Sequence, residues 1–282
     1  MSRIAYVNGR YVPHRQAEVH IEDRGYQFAD GVYEVIAVRG GHFVDQDLHL
    51  KRLARSLAEL RMAPPMADAA LRHILREVVR RNRVTDGIVY LQATRGVAPR
   101  DHAFPKSART SLVATAKNAA PKRALQQRGV AVVTIEDIRW KRTDIKSIAL
   151  LPNVLGKQQA SEAGAYEAWM VAADGTVTEG TSTNAWLVTR KNELVTRAAD
   201  HSILNGVTRQ ALIALAAKQG YRLVERPFSI KDALTAAECF LTSTTSAVMP
   251  VIKLDGKTIG DGAPGKLTRA LQSIYATHEA GA

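Results

Sequence analysis

The stretch Asp144-Ile145-Lys146-Ser147-Ile148-Ala149-Leu150-Leu151-Pro152-Asn153-Val154 lies near the middle of the 282-residue chain, and the assignment of the fold depends on it. Residues 130–135 before it are apolar and mostly β-branched, which predicts a buried strand, and residues 153–164 predict a helix. Taken alone, Lys146 has no distinguishing spacing, since an isolated lysine is most often a solvated surface charge. The stretch gains meaning only together with other segments of the chain.

The overall composition is that of an ordinary globular protein, with 46% hydrophobic and 23% charged residues. It excludes a collagen, a coiled coil, a disulfide-rich mini-protein and a disordered chain. The sequence contains no run of about 18 apolar residues, and its first residues lack the apolar core of a signal peptide, so neither a membrane span nor export is predicted. A single cysteine, Cys239, fits a reducing compartment, and we expect a cytoplasmic protein.

The chain is strongly basic. Its 39 Lys and Arg residues against 27 Asp and Glu residues give a net charge of +12. Such a surplus attracts anions, but it does not select among phosphorylated small molecules, carboxylates and nucleic acid.

The predicted strands and helices alternate irregularly. Asn8-Gly9 between two short strands is typical of a β-hairpin, and leucines at spacings of three and four from Leu50 to Leu60 predict an amphipathic helix. Further strands are predicted at residues 31–38, 88–94, 111–116, 165–172, 176–188, 193–195 and 238–241, and further helices at 71–78, 206–218 with Asn205 as N-cap, and 267–274. These elements predict two α+β domains, residues 1–118 and 125–282, joined by a linker at residues 119–124.

One glycine-rich segment, Gly260-Asp261-Gly262-Ala263-Pro264-Gly265-Lys266, has the glycine spacing of a nucleotide-binding P-loop. That motif requires Ser or Thr next, as a magnesium ligand, and Leu267 stands there instead. We therefore interpret the segment as a turn before the last helix and keep a nucleotide hydrolase only as a minor alternative.

A second alternative is nucleic-acid binding through the basic run Arg72, Arg76, Arg80, Arg81 and Arg83. The run lies on the polar side of a predicted helix, and few aromatic residues are interleaved with it. Both features favour a solvated helix face over a nucleic-acid surface. The eight histidines are scattered without metal-ligand spacing, so no metal site is predicted.

Three segments carry features of an anion-binding site. Leu204-Asn205-Gly206-Val207-Thr208-Arg209 opens a predicted helix, where unsatisfied N–H groups and the helix dipole favour a phosphate. Thr242-Ser243-Thr244-Thr245-Ser246 places several hydroxyls at a strand end, and Glu179-Gly180-Thr181-Ser182-Thr183-Asn184 adds one carboxylate. Each segment alone is also explained by simple capping or a polar turn, but together they predict a phosphorylated small ligand.

In their order along the chain, the stretch around Lys146, Lys157-Gln158 and these three segments resemble the fold-type IV, or class IV, aminotransferases, which use pyridoxal 5′-phosphate. The resemblance covers nearly the whole chain. It implies a two-domain α+β transaminase with its active site at the domain interface. Ala29 and Pro152 depart from the residues expected in close relatives, at positions that are structural.

The resemblance also implies the residues that bind the cofactor. Lys146 would be the catalytic residue, forming a Schiff base with the cofactor aldehyde and then moving the proton. Glu179 would face the pyridine nitrogen, and Leu204 would pack against the ring. The phosphate would be bound by Arg52, Val207, Thr208 and Thr244, and Gly206 and Ser243 would also contact the cofactor. From its spacing alone, Arg52 lies off the leucine stripe and is interpreted as an exposed helix charge.

Two further segments indicate the substrate class. Residues 22–35 and Thr94-Arg95-Gly96-Val97-Ala98-Pro99-Arg100-Asp101-His102 resemble the D-amino acid aminotransferases of the family. The resemblance implies that Arg100, His102 and Tyr33 hold the substrate α-carboxylate, with Thr245 also at the substrate. It also implies a homodimer in which Arg100 and His102 reach the neighbouring subunit's site. D-alanine and 2-oxoglutarate are the default substrates by resemblance, with no nucleic acid or membrane as partner.

Alternatives within the family remain open at this point. Branched-chain aminotransferases and (R)-selective amine transaminases share Lys146 and Glu179 and differ mainly in the loops that contact the substrate. Aminodeoxychorismate lyases share both residues too, but eliminate pyruvate.

Overall fold

The computed structural model describes residues 3–281, which group into two compact units. The first contains the chain up to Ala120 together with Ile145–Ala149, and the second contains Pro121–Asp144 and Leu150–Gly281. Lys146 therefore belongs to the first unit, although it follows the first residues of the second unit in the sequence.

The first unit is a six-stranded, fully antiparallel sheet with helices packed on it. The strand order is β2-β1-β6-β5-β3-β4. Its strands are β1 Ile4–Val7, β2 Arg10–Pro13, β3 Gly31–Arg39, β4 His42–Phe43, β5 Gly87–Thr94 and β6 Ser111–Asn118, and its helices are α1 Arg24–Phe28, α2 Gln46–Glu59 and α3 Asp68–Asn82, after a short 3-10 turn at His14–Gln16. The predicted hairpin at Asn8-Gly9 is confirmed, with β1 and β2 pairing on either side of it.

The core of this unit follows from the two-residue period of the central strand β3. Val32, Ile36 and Val38 alternate onto the face covered by α2 and α3, where Leu50, Leu53 and Leu75 pack against the sheet. Glu34 occupies the same face and is fully buried, so a carboxylate lies in a row of apolar side chains. Such a group needs charged or hydrogen-bonding partners to be stable there.

The segment Ile145–Ala149 runs along the beginning of β3. Ser147 forms an isolated antiparallel bridge with Val32, and the Ile148 N–H donates to the Gly31 carbonyl at 3.1 Å. The Tyr33 N–H donates to the Lys146 carbonyl at 3.0 Å. These bonds fix the backbone of Lys146 to the strand that carries Tyr33.

The second unit is a ten-stranded mixed sheet. Its strand path is β12-β11-β10-β14-β15-β7-β8-β9-β13, with β16 also paired to β15. The strands are β7 Val130–Glu136, β8 Glu167–Val171, β9 Thr176–Gly180, β10 Asn184–Val188, β11 Leu194–Thr196, β12 Leu223–Glu225, β13 Phe228–Ser229, β14 Glu238–Ser243, β15 Ala247–Leu254 and β16 Lys257–Thr258. The helices are α4 Arg123–Arg128, α5 Leu151–Glu162, α6 Val207–Lys218, α7 Ile230–Thr235 and α8 Lys266–Ala280.

Both faces of this second sheet are buried. Leu187 on β10 belongs to one apolar cluster and its neighbour Trp186 to another, because successive side chains of a strand point to opposite faces. The second cluster includes Leu212 of α6 and Leu271 of α8. These contacts hold the beginning of α6 at the sheet.

Two local predictions in this unit are wrong. The strand predicted over residues 176–188 is two strands, β9 and β10, because residues 181–183 turn between them around a buried carboxylate. The N-cap of α6 is Gly206 rather than Asn205, and Asn205 instead accepts a hydrogen bond from Arg209 at 3.2 Å. Within residues 3–281, no helix has the length and apolar character needed to cross a bilayer.

Candidate active site

Lys146 is held on three sides within the first unit. Its backbone N–H donates to the buried Ser56 hydroxyl at 3.2 Å, and its carbonyl accepts the β3 bond described above. Its ammonium lies 4.2 Å from the centroid of the Tyr33 ring, which is a cation–π distance. The lysine and the tyrosine predicted at the site are therefore in contact.

Arg52 lies in a buried polar cluster beside this lysine segment. Its guanidinium donates to both carboxylate oxygens of Glu34, each at 2.7 Å, and the His49 ring lies 2.7 Å from Glu34 Oε2. Only 8% of Arg52 and 2% of His49 are exposed, so the interpretation of Arg52 as an exposed helix charge is wrong. His49, Arg52 and Ser56 are spaced three and four residues apart and form a second stripe on α2 beside the leucines.

The electrostatics of this cluster favour an ionised carboxylate. Burial alone would raise the pKa of Glu34, but the charge and hydrogen bonds of Arg52, with a smaller contribution from His49, lower that pKa to about 2. Burial lowers the pKa of His49, and the positive charges of Arg52 and Lys146 act in the same direction. Glu34 is therefore ionised at neutral pH and holds Arg52 in place.

Arg100 and His102 lie in an exposed segment of the first unit after β5. The Arg100 Cζ atom is 4.6 Å from the Phe28 ring centroid, and the His102 ring is 5.3 Å from that ring. In the described part of the chain, neither makes a hydrogen bond or ion pair with Lys146. The two predicted carboxylate-binding residues are thus adjacent to each other through Phe28.

In the second unit, Glu179 at the end of β9 is held by several hydrogen bonds. Arg139 donates to its Oε1, the Asn184 amide donates to its Oε2 at 3.0 Å, and the Leu204 N–H donates to both oxygens at 3.1 and 3.2 Å. Only 5% of Glu179 is exposed. Two of the predicted residues, Glu179 and Leu204, are therefore brought together by hydrogen bonds.

Arg139 was not anticipated from the sequence. Its guanidinium also pairs with Asp137 at 2.7 Å, and its side chain is 5% exposed. Burial would lower the pKa of Arg139, but Asp137 and Glu179 together raise it, so the guanidinium stays charged. The spacing of Asp137 and Arg139, directly after a predicted strand, was the available signal, but it did not indicate Glu179 as the partner.

The beginning of α6 presents a set of hydrogen-bond donors. The helix has no side-chain cap, and Val207 and Thr208 are both buried. A Cβ on Gly206 would lie 2.1 Å from Asn184 Oδ1, so only glycine fits between Asn184 and the helix. Asn184 also donates to the Leu204 carbonyl at 2.8 Å, which ties the segment 204–206 to Glu179.

The hydroxyls after β14 lie in a turn of the same unit. Ser243 and Thr244 are half-buried and Thr245 is exposed. The Ser243 hydroxyl accepts from the Ser246 N–H at 3.1 Å and lies 3.5 Å from the Thr245 hydroxyl. Ser243 is thus held in the turn by neighbours on its own segment.

The hydroxyls of residues 181–183 have a structural partner that the sequence analysis missed. The fully buried Glu167 of β8 accepts bonds from the hydroxyls of Thr181, Ser182 and Thr183. Because Glu167 binds the hydroxyls of residues 181–183, Glu179 is the residue of this segment that remains a candidate for binding a ligand.

In the segments that suggested the two minor alternatives, a nucleotide hydrolase and a nucleic-acid binder, several residues have structural partners within the protein. The Glu238 carboxylate accepts from the N–H groups of Leu267 and Thr268 at 3.0 and 2.7 Å, so a side chain of this protein fills the end of α8 where a P-loop would hold phosphate. In the basic run, Arg72 pairs with Asp47 and Asp68, and Arg80 and Arg81 pair with Glu77.

Comparison with known proteins identifies the family to which the chain belongs. The family model for amino-transferase class IV matches residues 31–254. The D-alanine aminotransferase of Bacillus licheniformis is 43% identical over 266 residues, covering 94% of this chain and 93% of the relative. That of Listeria monocytogenes serotype 4b is 41% identical, covering 95% and 93%.

Among solved structures, a T.th. branched-chain amino acid aminotransferase with pyridoxamine 5′-phosphate superposes with a TM-score of 0.92. It covers 100% of this chain and 95% of its own, at 24% identity, which shows the shared fold. The chain belongs to the class IV aminotransferases, the α+β fold-type IV transaminases that work with pyridoxal 5′-phosphate.

Proposed function

We propose that this protein is a D-amino acid aminotransferase that transfers the amino group of a D-amino acid, D-alanine by default, to a 2-oxo acid, 2-oxoglutarate by default. The observation that carries the proposal is the similarity to curated D-alanine aminotransferases over more than nine-tenths of both chains. The branched-chain neighbours, at 24% identity or less in the examples compared, support the fold alone.

The chemistry of the donor groups fits pyridoxal 5′-phosphate. An uncapped helix N-terminus with Gly206, Val207 and Thr208 suits a phosphate dianion, and a buried carboxylate at Glu179 suits a protonated ring nitrogen. We assign the phosphate also to Arg52, Ser243 and Thr244, and contact with the ring to Leu204. When bound, the cofactor supplies an electron-withdrawing ring that stabilises negative charge at the substrate Cα.

We assign the proton transfer to Lys146. Its neutral amine takes the proton from the substrate Cα, and its backbone, bonded to Ser56 and Tyr33, limits the positions that Nζ reaches. Arg139 places a positive charge against one carboxylate oxygen of Glu179 and holds that carboxylate in position.

We assign the substrate α-carboxylate to Arg100, His102 and Tyr33, with Thr245 at the substrate as well. A guanidinium donates two parallel N–H bonds to a carboxylate, and the Tyr33 hydroxyl adds a third donor. Fixing the carboxylate determines which substituent of Cα is presented to Lys146, and therefore which enantiomer reacts.

We further propose a cytoplasmic homodimer in which Arg100 and His102 act at the neighbouring subunit's site. Both residues are exposed in the chain, and α5 also exposes a stripe of large apolar side chains at Leu151, Val154 and Leu155. Exposed apolar patches of this kind mark contact surfaces. Sedimentation at micromolar concentration is expected to give twice the chain mass, and a monomeric active enzyme would contradict the dimer.

The proposal is tested by single-turnover absorbance measurements on the holoenzyme. D-alanine is expected to convert the cofactor to its amine form with release of pyruvate, and L-leucine is expected to leave the spectrum unchanged. Conversion by L-leucine but not D-alanine would assign the protein to the branched-chain enzymes instead.

A further inference from the structure

Helix α1 contains a buried arginine, Arg24. Among the residues that the structure describes, its side chain forms no ion pair with a predicted site residue. Arg24 is 3% exposed, and its Nε donates to Asp30 Oδ2 at 2.8 Å. Its terminal nitrogens donate to three consecutive backbone carbonyls, those of Asp101, His102 and Ala103, the latter two at 3.4 and 3.3 Å. One guanidinium thus holds the backbone of the segment that carries Arg100 and His102.

The last residue of the same helix contacts the side chains of that segment. The Phe28 ring centroid is 4.6 Å from Arg100 Cζ and 4.8 Å from Arg24 Cζ, and the His102 ring lies 5.3 Å away. Arg24 therefore holds the main chain and Phe28 the two side chains. We refer to Arg24 and Phe28 as the α1 support.

The α1 support is itself anchored to the sheet. Asp30 pairs with Arg95 at 2.7 Å as well as with Arg24, and Arg95 donates to the Leu60 carbonyl at 2.8 Å. The Arg95 guanidinium also lies 3.7 Å from the ring centroid of Phe104, at the far end of the held segment. Arg24 thus holds the backbone of the segment, and Arg95 contacts the aromatic ring at its end.

The carboxylate at the centre of this network stays ionised. Burial would raise the pKa of Asp30, but the hydrogen bonds and charges of Arg95 and Arg24 outweigh it, and the pKa is lowered from its ordinary value. Residues 99–104 have no regular secondary structure and are exposed, so few other contacts define their conformation.

We propose that the α1 support sets the position of Arg100 and His102 and thereby determines how strongly the enzyme selects substrates that carry an α-carboxylate. Arg24 and Phe28 act as positioning residues, through the backbone and through ring contacts respectively. The inference rests on the proposed role of Arg100 and His102 at the substrate carboxylate.

A guanidinium suits this role better than an ammonium because its planar fork directs several N–H groups at fixed angles. Three carbonyls in a row present three acceptors, and a single flexible ammonium does not hold them in one geometry. A misplacement of about 1 Å in a residue that orients substrate costs up to about 100-fold in rate.

The test compares Arg24→Met and Phe28→Leu holoenzymes with wild type. The matched control is Arg39→Met, since Arg39 also donates to backbone carbonyls, those of Val38 and Gly87, but at the opposite end of β3. The substrates are D-alanine and D-alaninamide, which lacks the carboxylate. Cofactor affinity is measured by absorbance titration of each variant.

For both support variants we expect the KM for D-alanine to rise about 10- to 100-fold, with a smaller change in kcat. The preference for D-alanine over D-alaninamide is expected to fall in parallel, while cofactor affinity stays at the level of the Arg39→Met control. A loss of packing alone would not change the ratio between two substrates that differ only in the carboxylate. If Arg24→Met fails to fold, Phe28→Leu carries the same test.

A combined variant separates this inference from the proposed function. Because Arg24 acts through both Arg100 and His102, adding Arg24→Met to a variant that carries Arg100→Ala and His102→Ala is expected to raise KM little beyond that variant. Additive effects, or support variants that behave like Arg39→Met while Arg100→Ala weakens D-alanine, would overturn the inference alone. An Arg100→Ala variant with unchanged KM and unchanged preference would overturn the proposed carboxylate site as well.

Discussion

Each of the two units has a buried carboxylate–arginine pair among its candidate site residues, and a different partner of each pair is assigned to the ligand. In the first unit Glu34 holds Arg52, and the arginine is the residue assigned to the ligand. In the second unit Arg139 holds Glu179, and the carboxylate is the residue assigned to the ligand. The first unit thus provides a fixed positive group and the second a fixed negative one.

A buried carboxylate–arginine pair fixes the position of its charged groups. A buried ion pair contributes little net stability, because desolvation of both charges offsets their attraction, whereas removal of one partner costs about 3–5 kcal/mol. Pairs of this kind are therefore weak as stabilising elements and effective at fixing a charged group. In the proposed function we assign Arg52 to the anionic phosphate of the cofactor and Glu179 to its cationic ring nitrogen.

The largest expected effect is loss of the amine in the first unit. Lys146→Ala is expected to reduce turnover by about 10²–10⁴-fold, because it removes the group that takes the Cα proton, while cofactor still binds noncovalently. Steady-state assays with D-alanine measure the loss. Lys141→Ala, an exposed lysine of the second unit, is the control and should retain activity. Substantial turnover by Lys146→Ala would contradict its assigned role.

The next effect should distinguish the two pairs directly. Glu179→Gln is expected to lower kcat by about 10²–10³-fold at saturating cofactor, by analogy with the loss of one fixed electrostatic contact in an active site. Glu34→Gln is expected to act mainly on cofactor affinity, since it releases Arg52 rather than a group at the ring. Cofactor titration and kcat at saturating cofactor separate the two outcomes. Equal changes in cofactor affinity and in kcat for both variants would contradict the different roles of Glu34 and Glu179.

A smaller effect is expected in the acid stability of the first unit. Because the pKa of Glu34 in the fold, about 2, lies below its ordinary value of 4.5, its ionised form stabilises the fold above about pH 4.5, and this contribution is lost as the pH falls toward 2. A shift of this size corresponds to about 3 kcal/mol. Urea unfolding followed by circular dichroism from pH 5 to pH 3 is expected to show a shallower loss in Glu34→Gln, and an identical slope would contradict the assignment.

Much of the fold could be predicted from local pattern, and the exceptions have physical causes. The hairpin at Asn8-Gly9 and the helices with leucine stripes follow from local turn chemistry and periodicity. The break at residues 181–183 could not be predicted, because those hydroxyls bind Glu167, about 15 residues earlier in the chain. Ala29 lies at φ +54°, a left-handed backbone conformation that alanine rarely adopts and that no local pattern predicted.

The residues of the candidate site were harder to predict from the sequence than the fold was. Lys146 could be singled out only by resemblance, since its spacing carries no signal. Arg52 looked like an exposed charge because its partner, Glu34, comes from another element and reaches it only in the folded sheet. Arg139 was missed for the same reason, being 40 residues from Glu179 in the sequence. Ion pairs between distant segments leave no periodic trace.

The proposed function requires a covalent link between the cofactor and Lys146, and peptide mapping of the reduced holoenzyme measures that link. After treatment with borohydride and digestion, we expect the peptide containing Lys146 to carry the pyridoxyl mass, and we expect the corresponding peptide of Lys146→Ala to lack it. A modified peptide at any other lysine, or no modified peptide from a yellow holoenzyme, would contradict the link to Lys146.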